Sequence, residues 1–161
     1  GSASSLAAEV ELDNDPGATL VGIRADGTAA VVADTQYIYG VLLDGPTPEV
    51  VNRLSWSGAE AARPVGIDRT ASEFGDIFAI ADASRRIVQI VGFDGRTLKP
   101  VGAEIPLGDT APAGLGFGRL ADLYVAVGTG LVHINPYHDT PAATPIAVSA
   151  SAEIVAIAVQ R

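Results

Sequence analysis

Oxygen-bearing side chains stand close together in residues 13–17, which read DNDPG. A calcium ion binds several oxygen ligands on a sharply turned backbone, and such a segment could supply some of them. The spacing does not fit the calcium loop that joins two helices, and no glutamate follows at the distance that this loop requires. Asp13 and Asp15 are therefore candidate calcium ligands, with a plain turn as the favoured interpretation. We expect no other cofactor.

The two histidines, His133 and His138, are the natural candidates for proton transfer. His133 alternates with apolar neighbours, so its side chain should face away from theirs. His138 follows Tyr137 in a predicted loop. A general base needs a nucleophile within reach, and the sequence has no GxSxG motif or similar context. We therefore expect no catalytic residue, and we predict that Tyr137 and His138 contribute to binding instead.

Aromatic and acidic residues in predicted connections are further binding candidates. Trp56 lies between two repeats, where an exposed ring would suit a sugar or a protein partner. The alternative, which we favour, is that the ring covers the gap between the repeats. Glu73 and Phe74 lie in a predicted insertion loop over residues 68–76, and loops of this kind often carry function.

The composition sets limits on fold and partner. The 161 residues carry 48% hydrophobic residues with 18 Gly and 10 Pro, which favours many short strands and turns. The net charge of −9 argues against nucleic acid and against an anionic membrane surface. Without cysteine there can be no disulfide and no thiolate metal site. Because the sequence lacks Met, we expect a larger parent gene, with residues 1–5 as a tag scar and linker.

A unit of four apolar runs separated by turn residues recurs along the chain. Its first run contains an apolar triplet, and the central residues of the four triplets lie 44, 50 and 40 positions apart. The triplets are Val21-Gly22-Ile23, Val65-Gly66-Ile67, Leu115-Gly116-Phe117 and Val155-Ala156-Ile157. This spacing predicts an all-β domain over residues 6–161, built of four-stranded antiparallel blades. We place the repeats at residues 18–58, 62–108 and 112–150, with a closing strand at 153–160. A β-sandwich is the alternative.

The strand ends Val32-Ala33-Asp34, Ile80-Ala81-Asp82 and Ile134-Asn135-Pro136 resemble those of β-propeller repeats of the NHL, lactonase and YVTN type. The resemblance covers roughly residues 18–160 and concerns architecture. In lactonase-like propellers, acidic residues at the channel mouth hold a divalent metal, which makes Asp34 and Asp82 candidate metal ligands. From the residues themselves, each aspartate is better explained as a cap of the following turn.

These observations predict a secreted, periplasmic or cell-surface module that binds a protein or carbohydrate partner or holds an assembly together. A metal-dependent lactonase-like hydrolase and a structural repeat of a larger surface protein are the alternatives, and we lean against an enzyme. Because three blades cannot close a ring, we expect their outer faces to be uncovered. A homodimer related by a two-fold axis could then close the ring, with residues 6–12 and 154–159 at the junction.

Overall fold

The computed structural model describes residues 20–24, 26–56, 60–72, 75–138 and 140–148, and the described residues form strands without a helix. None of them therefore belongs to a helix that could cross a membrane. The strands are β1 (Leu20–Ile23), β2 (Ala29–Ala33), β3 (Tyr37–Leu42), β4 (Glu49–Ser55), β5 (Pro64–Ser72), β6 (Gly75–Asp82), β7 (Ile87–Phe93), β8 (Leu98–Pro100), β9 (Ile105–Pro106), β10 (Pro112–Phe117), β11 (Leu123–Val127), β12 (Gly130–Ile134) and β13 (Thr144–Ile146).

The strands form three antiparallel sheets. Within each sheet consecutive strands pair with each other, except that β9 pairs with β7. The first blade is β1–β4, the second is β5–β8 with β9 paired to β7, and the third is β10–β13. This arrangement confirms the prediction of propeller-like four-stranded blades. Consecutive pairing is expected where tight turns join short apolar strands.

Three details of the prediction are wrong. In the predicted loop over residues 68–76, residues 68–72 and 75–76 belong to strands instead, because β5 continues to Ser72 and β6 begins at Gly75. The apolar run over residues 101–107 predicts the fourth strand of the second repeat, but only Ile105 and Pro106 of this run form a strand, β9, and β8 lies before it; both strands pair with β7. The apolar residues 146–148 predict the last strand of the third blade, whereas the strand is Thr144–Ile146, slightly earlier in the chain. In each case the sequence has an apolar pattern that suits a strand. The hydrogen bonds with the partner strand determine at which residue the strand begins and ends.

The inner strands β1, β5 and β10 lie side by side, and their triplet glycines explain how closely they approach. A Cβ atom added at Gly22 would lie 3.2 Å from Ile67 of the second blade. A Cβ atom added at Gly66 would lie 3.0 Å from the backbone nitrogen of Leu115 in the third blade. Each glycine thus faces the next blade. A larger side chain would press on the Ile67 side chain at Gly22 and on the backbone of the third blade at Gly66.

Two apolar cores fill the spaces between the blades. The core between the first and second blades consists of buried residues Ala29, Val31, Ala33, Ile38, Trp56, Ala62, Phe78, Ile80, Val91, Phe93 and Leu98. The core between the second and third blades includes Ile90, Ile105, Phe117, Leu123, Val125 and Ile134. Ile80 and Ile90 lie in central apolar runs of the second repeat, which predicts that both are buried. They are 0% and 1% exposed, which confirms this prediction.

The far face of the first blade is the one that turns away from the second blade. Its side chains Ala30, Val32, Tyr39 and Val41 are buried within the single chain. The expectation that this face is uncovered is therefore wrong for β2 and β3. Residues 6–12 and 154–159 lie outside the described residues, so the dimer junction proposed for them stays a prediction.

The outer strands differ in how their edges are built. In β4, Gly40 pairs with Asn52 and Val41 with Val50, so Val51 is an extra residue that bulges the strand. The outer strands of the other two blades are short and contain proline, namely Pro100 in β8, Pro106 in β9 and Pro145 in β13. Proline lacks the N–H group that a further strand would need, and a bulge twists the edge away from one.

The turns define two ends of the stack of blades. We call upper the end that carries the β2–β3, β6–β7 and β11–β12 turns and the connections between blades. We call lower the end that carries the β1–β2, β3–β4, β5–β6, β7–β8, β10–β11 and β12–β13 connections. The candidate residues of the sequence divide between these ends.

Candidate functional site

Asp34 closes the β2–β3 turn at the upper end and is 0% exposed. Its Oδ1 accepts hydrogen bonds from the backbone N–H groups of Gln36 and Tyr37, at 2.7 and 2.6 Å. Its Oδ2 accepts a hydrogen bond from the Tyr39 hydroxyl at 2.9 Å. Both oxygens are thus held by donors from the protein, which is the geometry of a turn cap.

Asp82 has the equivalent place in the second blade and is also 0% exposed. Its Oδ1 accepts hydrogen bonds from the backbone N–H groups of Arg63 and Ser84, both at 2.9 Å. The Nε of Arg85 donates to Oδ2 at 2.6 Å. Arg85 also forms an ion pair with Glu104 at 3.0 Å. This carboxylate therefore fastens its own turn, the connection from the first blade and a neighbouring guanidinium.

The described residues do not assemble a metal centre at these aspartates. No three histidine or acidic side chains among them lie close enough together to hold an ion. The equivalent position of the third blade is Gly128, with a positive φ of 59°. Asp13, Asp15, Glu73 and Phe74 lie outside the described residues, so their predicted calcium or binding roles remain predictions.

Trp56 lies at the upper end and is 8% exposed. Its ring packs in the core between the first two blades, and its Nε1 donates to the backbone oxygen of Asp34 at 2.9 Å. The guanidinium carbon of Arg85 lies 5.0 Å from the ring centre, a cation–π arrangement. Trp56 therefore fills the gap between blades, and little of its ring is left for a ligand.

At the lower end, aspartates cap turns in an exposed setting. The backbone N–H groups of Thr97 and Arg96 donate to Asp94 Oδ1 at 2.7 and 2.8 Å, and these two bonds hold the pKa of Asp94 below its usual value. The backbone N–H and the hydroxyl of Thr28 both donate to Asp26 Oδ1, and these bonds lower the pKa of Asp26. Hydrogen bonds to the ionised carboxylate favour it over the protonated form.

A network of charged side chains ties the first and second blades together near the same end. Asp76 is 8% exposed. It pairs with Arg24 of the first blade at 3.0 Å and with Arg69 at 3.1 Å. Arg24 also donates to the backbone oxygen of Asp94 at 3.3 Å. Both carboxylate oxygens of Asp76 are therefore neutralised, and the two blades are fastened together at the lower end.

Beside this network lies an open cleft of about 480 Å³ between the second and third blades, which we call the lower cleft. Its lining residues are Ser72, Asp76, Ile77, Gly92, Phe93, Asp94, Thr97, Lys99, Pro100, Val101, Pro136, Tyr137 and His138. Tyr137 is 54% exposed. The structure thus brings Tyr137 and His138, both predicted to bind, to one cleft with side chains of the second blade.

Residues 136–138, which follow β12, build the far wall of the lower cleft. Asn135 Oδ1 accepts a hydrogen bond from the backbone N–H of Tyr137 at 3.0 Å, which turns the chain after β12. The His138 Nδ1 lies 3.2 Å from both the backbone nitrogen and the backbone oxygen of Thr140. These contacts place the two rings at the rim of the cleft, where they can meet a ligand.

His133 lies outside the lower cleft, on the face of the third blade that turns away from the second. Its Nε2 lies 3.0 Å from Asp122 Oδ1, and the Tyr124 ring centre lies 5.4 Å from its own. His133 and His138 border one hollow of about 240 Å³ with Asn135, Thr140, Ala142 and Thr144. The side chain of His133 faces away from those of Val132 and Ile134, as the alternation along β12 predicts, but nothing local in the sequence predicts its contact with Asp122.

Several residues that line the lower cleft are not among the binding residues predicted from the sequence. Ile77, Gly92 and Lys99 come from three different strands, and their meeting depends on strand register. The turn signal at Asp94-Gly95 indicated where β7 and β8 reverse. It could not show that the third blade would place Tyr137 opposite this hairpin.

Comparison of the sequence with protein-family models and with curated proteins finds no match. In structure, the chain is similar to the periplasmic gluconolactonase of Pseudomonas aeruginosa, with a TM-score of 0.62 and 14% sequence identity over 82% of this chain and 39% of that one. A protein of unknown function from Bacteroides caccae aligns with a TM-score of 0.47 and 19% identity over 78% of this chain and 46% of that one. The chain spans less than half the length of either, and the first similarity supports the propeller-like fold.

Proposed function

We propose that this chain is an extracytoplasmic binding module that holds an apolar segment of a partner protein in the lower cleft. The observation that carries the proposal is the cleft itself, an open concavity of about 480 Å³ with a half-exposed tyrosine at its rim. Small-ligand and peptide sites are commonly concave, mostly apolar and furnished with a few polar groups.

The walls of the lower cleft have the composition expected for an apolar ligand. Ile77 and Val101 supply aliphatic surface from the second blade, and Pro136 adds to it from the third. Thr97 and His138 place hydrogen-bonding groups at the rim. Burial of an apolar side chain would provide the affinity, and the polar rim would orient the segment.

The cleft is also built before any partner arrives. The Arg24–Asp76–Arg69 network and the two hydrogen bonds to Asp94 hold the second-blade side in place. A preformed site loses less conformational entropy on binding than one that must be ordered. This preformed geometry favours the interpretation of the lower cleft as a binding site rather than as an ordinary solvent-exposed concavity.

A location outside the cytoplasm is part of the proposal. It is suggested by the structurally similar protein of Pseudomonas aeruginosa, which is periplasmic. The gluconolactonase activity in that protein's name gains no support from the described residues of this chain, since Asp34 and Asp82 are buried turn caps.

A carbohydrate is the second candidate ligand, and the exposure of Tyr137 is what favours it. An aromatic ring that is 54% exposed offers an apolar face on which a sugar ring could stack. A sugar would also use the hydroxyl and amide groups of the rim. The exposed surface of the cleft is more apolar than polar, which makes a protein segment the better match.

Selection from a random peptide display library on the folded chain would test the proposal, with a glycan array as the parallel arm. We expect peptides rich in apolar residues, and Tyr137→Ala should weaken their binding roughly thirtyfold if the ring contributes about 2 kcal/mol as interface tyrosines often do. The control is Leu120→Ala, which removes an 83% exposed side chain at the same end but outside the cleft.

Equal losses in the Tyr137 and Leu120 variants would show that the cleft is not the site. Enrichment of glycans without peptides would transfer the proposal to the carbohydrate. If neither library yields a binder, the remaining explanation is a structural repeat of a larger protein.

A further inference from the structure

The lower cleft contains a row of three residues that cross the second blade on one face. Ile77 in β6 pairs with Gly92 in β7, and Gly92 pairs with Lys99 in β8. Residues directly opposite each other in antiparallel strands project to the same face of the sheet. Ile77 packs in the core toward the third blade, so this face is the one that looks toward Tyr137 and His138.

Gly92 creates the space in the middle of that row. A Cβ atom added there would lie 3.4 Å from Val101 Cγ2, which is an ordinary contact distance. The absent side chain leaves a depression bordered by Ile77 and Val101 on the apolar side and by Lys99 on the other. A site is therefore present with an apolar floor and a cation beside it.

Lys99 is the only lysine in the sequence, and it is exposed. Among the described residues it forms no salt bridge with an aspartate or glutamate. Of the two acidic residues of the cleft, Asp76 pairs with two arginines. Asp94 accepts two backbone hydrogen bonds, and the charge of Lys99 makes a smaller contribution to its lowered pKa. In a chain of net charge −9, this leaves a local positive charge next to apolar walls.

We infer that the lower cleft recognises the C-terminal residue of its protein partner, an apolar residue whose free carboxylate meets Lys99. The apolar side chain would enter the depression at Gly92 between Ile77 and Val101. The carboxylate would form a charge-assisted hydrogen bond with the ammonium group, and the Tyr137 ring would cover the segment. This inference rests on the proposed function and adds which part of the partner is bound.

The test is a titration of the isotope-labelled chain, followed by NMR chemical shifts, with acetyl-Gly-Gly-Leu as the free acid and as the C-terminal amide. We expect the free acid to bind at least tenfold more tightly than the amide, with shifts at Gly92 and Thr97. Lys99→Gln should abolish this preference. Arg96→Gln is the matched control, because Arg96 is an exposed cation of the adjacent turn that lies outside the cleft.

A second variant tests whether the apolar side chain of the ligand occupies the depression at Gly92, and it leaves all charged residues unchanged. Gly92→Ala should weaken both peptides at least tenfold while the melting temperature of the chain changes little, because the added methyl group fills the cleft rather than the core. Preserved binding in this variant would overturn the placement of the side chain.

The outcomes separate the two proposals. Equal affinity for acid and amide, or an unchanged preference in Lys99→Gln, overturns the role of the carboxylate while leaving a peptide-binding cleft. Binding of free 4-methylpentanoate as tight as that of the tripeptide acid overturns the assignment to a protein C-terminus in favour of a small carboxylate. Failure of both tripeptides together with failure of the display selection overturns the proposed function itself.

Discussion

The two ends of the blades use the same residue type in turns for different purposes. At the upper end Asp34 and Asp82 are fully buried, and the donors around each come from its own turn, a neighbouring strand or the preceding blade. At the lower end Asp94 caps an equally tight turn but remains exposed beside an open cleft. An aspartate after a strand thus indicates a turn and no more. Burial and the number of donors decide whether it belongs to the framework or borders a site.

The largest effect is expected from Asp82→Ala. This change removes the acceptor of two backbone N–H groups and of the Arg85 guanidinium, which has a side-chain exposure of only 11%. Loss of one partner of a buried ion pair costs about 3–5 kcal/mol of unfolding free energy. Urea denaturation would measure the loss, with Asp94→Ala as the lower-end control. Similar losses in both variants would break the distinction between the two ends.

Ile80→Ala provides the reference for a residue that belongs to neither end. Ile80 is 0% exposed in the core between the first two blades, so the lost transfer energy and the cavity together should cost about 2–5 kcal/mol. The same denaturation series measures it. If Ile80→Ala were near neutral, the strand faces described above would be misassigned.

Tyr39→Phe tests the contribution of a single buried hydrogen bond to the upper-end turn at Asp34. The change removes the hydroxyl that donates to Asp34 Oδ2 at 2.9 Å in a fully buried setting, at a cost of about 1–3 kcal/mol. Tyr124→Phe is the control, because its hydroxyl forms no such bond among the described residues. We expect a lower melting temperature for Tyr39→Phe and little change for Tyr124→Phe. The reverse order would mean that Asp34 Oδ2 is satisfied without the hydroxyl.

The smallest effect concerns pH at the exposed turns. Hydrogen bonds from Thr97 and Arg96 lower the pKa of Asp94 from its usual 3.8, so the stabilisation is present above that value and is lost as the pH falls through the lowered one. Melting temperatures at pH 6 and pH 3 should therefore differ less in Asp94→Ala than in the native chain. Asp44→Ala is a matched control, at the equivalent turn of the first blade. An identical pH dependence in all three would show that the Asp94 turn carries no ionic stabilisation.

The blades could be predicted because their signals are local. Apolar alternation marked the strands, and short turn sequences such as Asp94-Gly95 marked the reversals. The triplet glycines Gly22 and Gly66 also recur at the spacing of the repeat, and both lie where the inner strands approach each other closely. The loop predicted over residues 68–76 was an error of a different kind. How far the β5–β6 ladder continues depends on the pairing of the two strands, which the local sequence does not show.

The lower cleft could be predicted only in part. Tyr137 and His138 stood out as a loop pair, but the opposite wall requires the register that aligns Ile77, Gly92 and Lys99 across three strands. A shift of that register by one residue would turn their side chains to the other face. The partly buried ion pair Arg24–Asp76 joins residues 52 positions apart and leaves no local sign in the sequence.

The bulge at Val51 and the prolines of the outer strands also govern what happens before and after folding, when chains meet at high concentration. An open strand edge can capture an edge of another molecule and begin an ordered aggregate. Pro100, Pro106 and Pro145 lack the hydrogen that such capture needs, and the bulge at Val51 interrupts the remaining long edge. Replacing Pro145 with Thr would restore a donor on a three-residue strand, and protection against aggregation would then depend on the shortness of that strand alone.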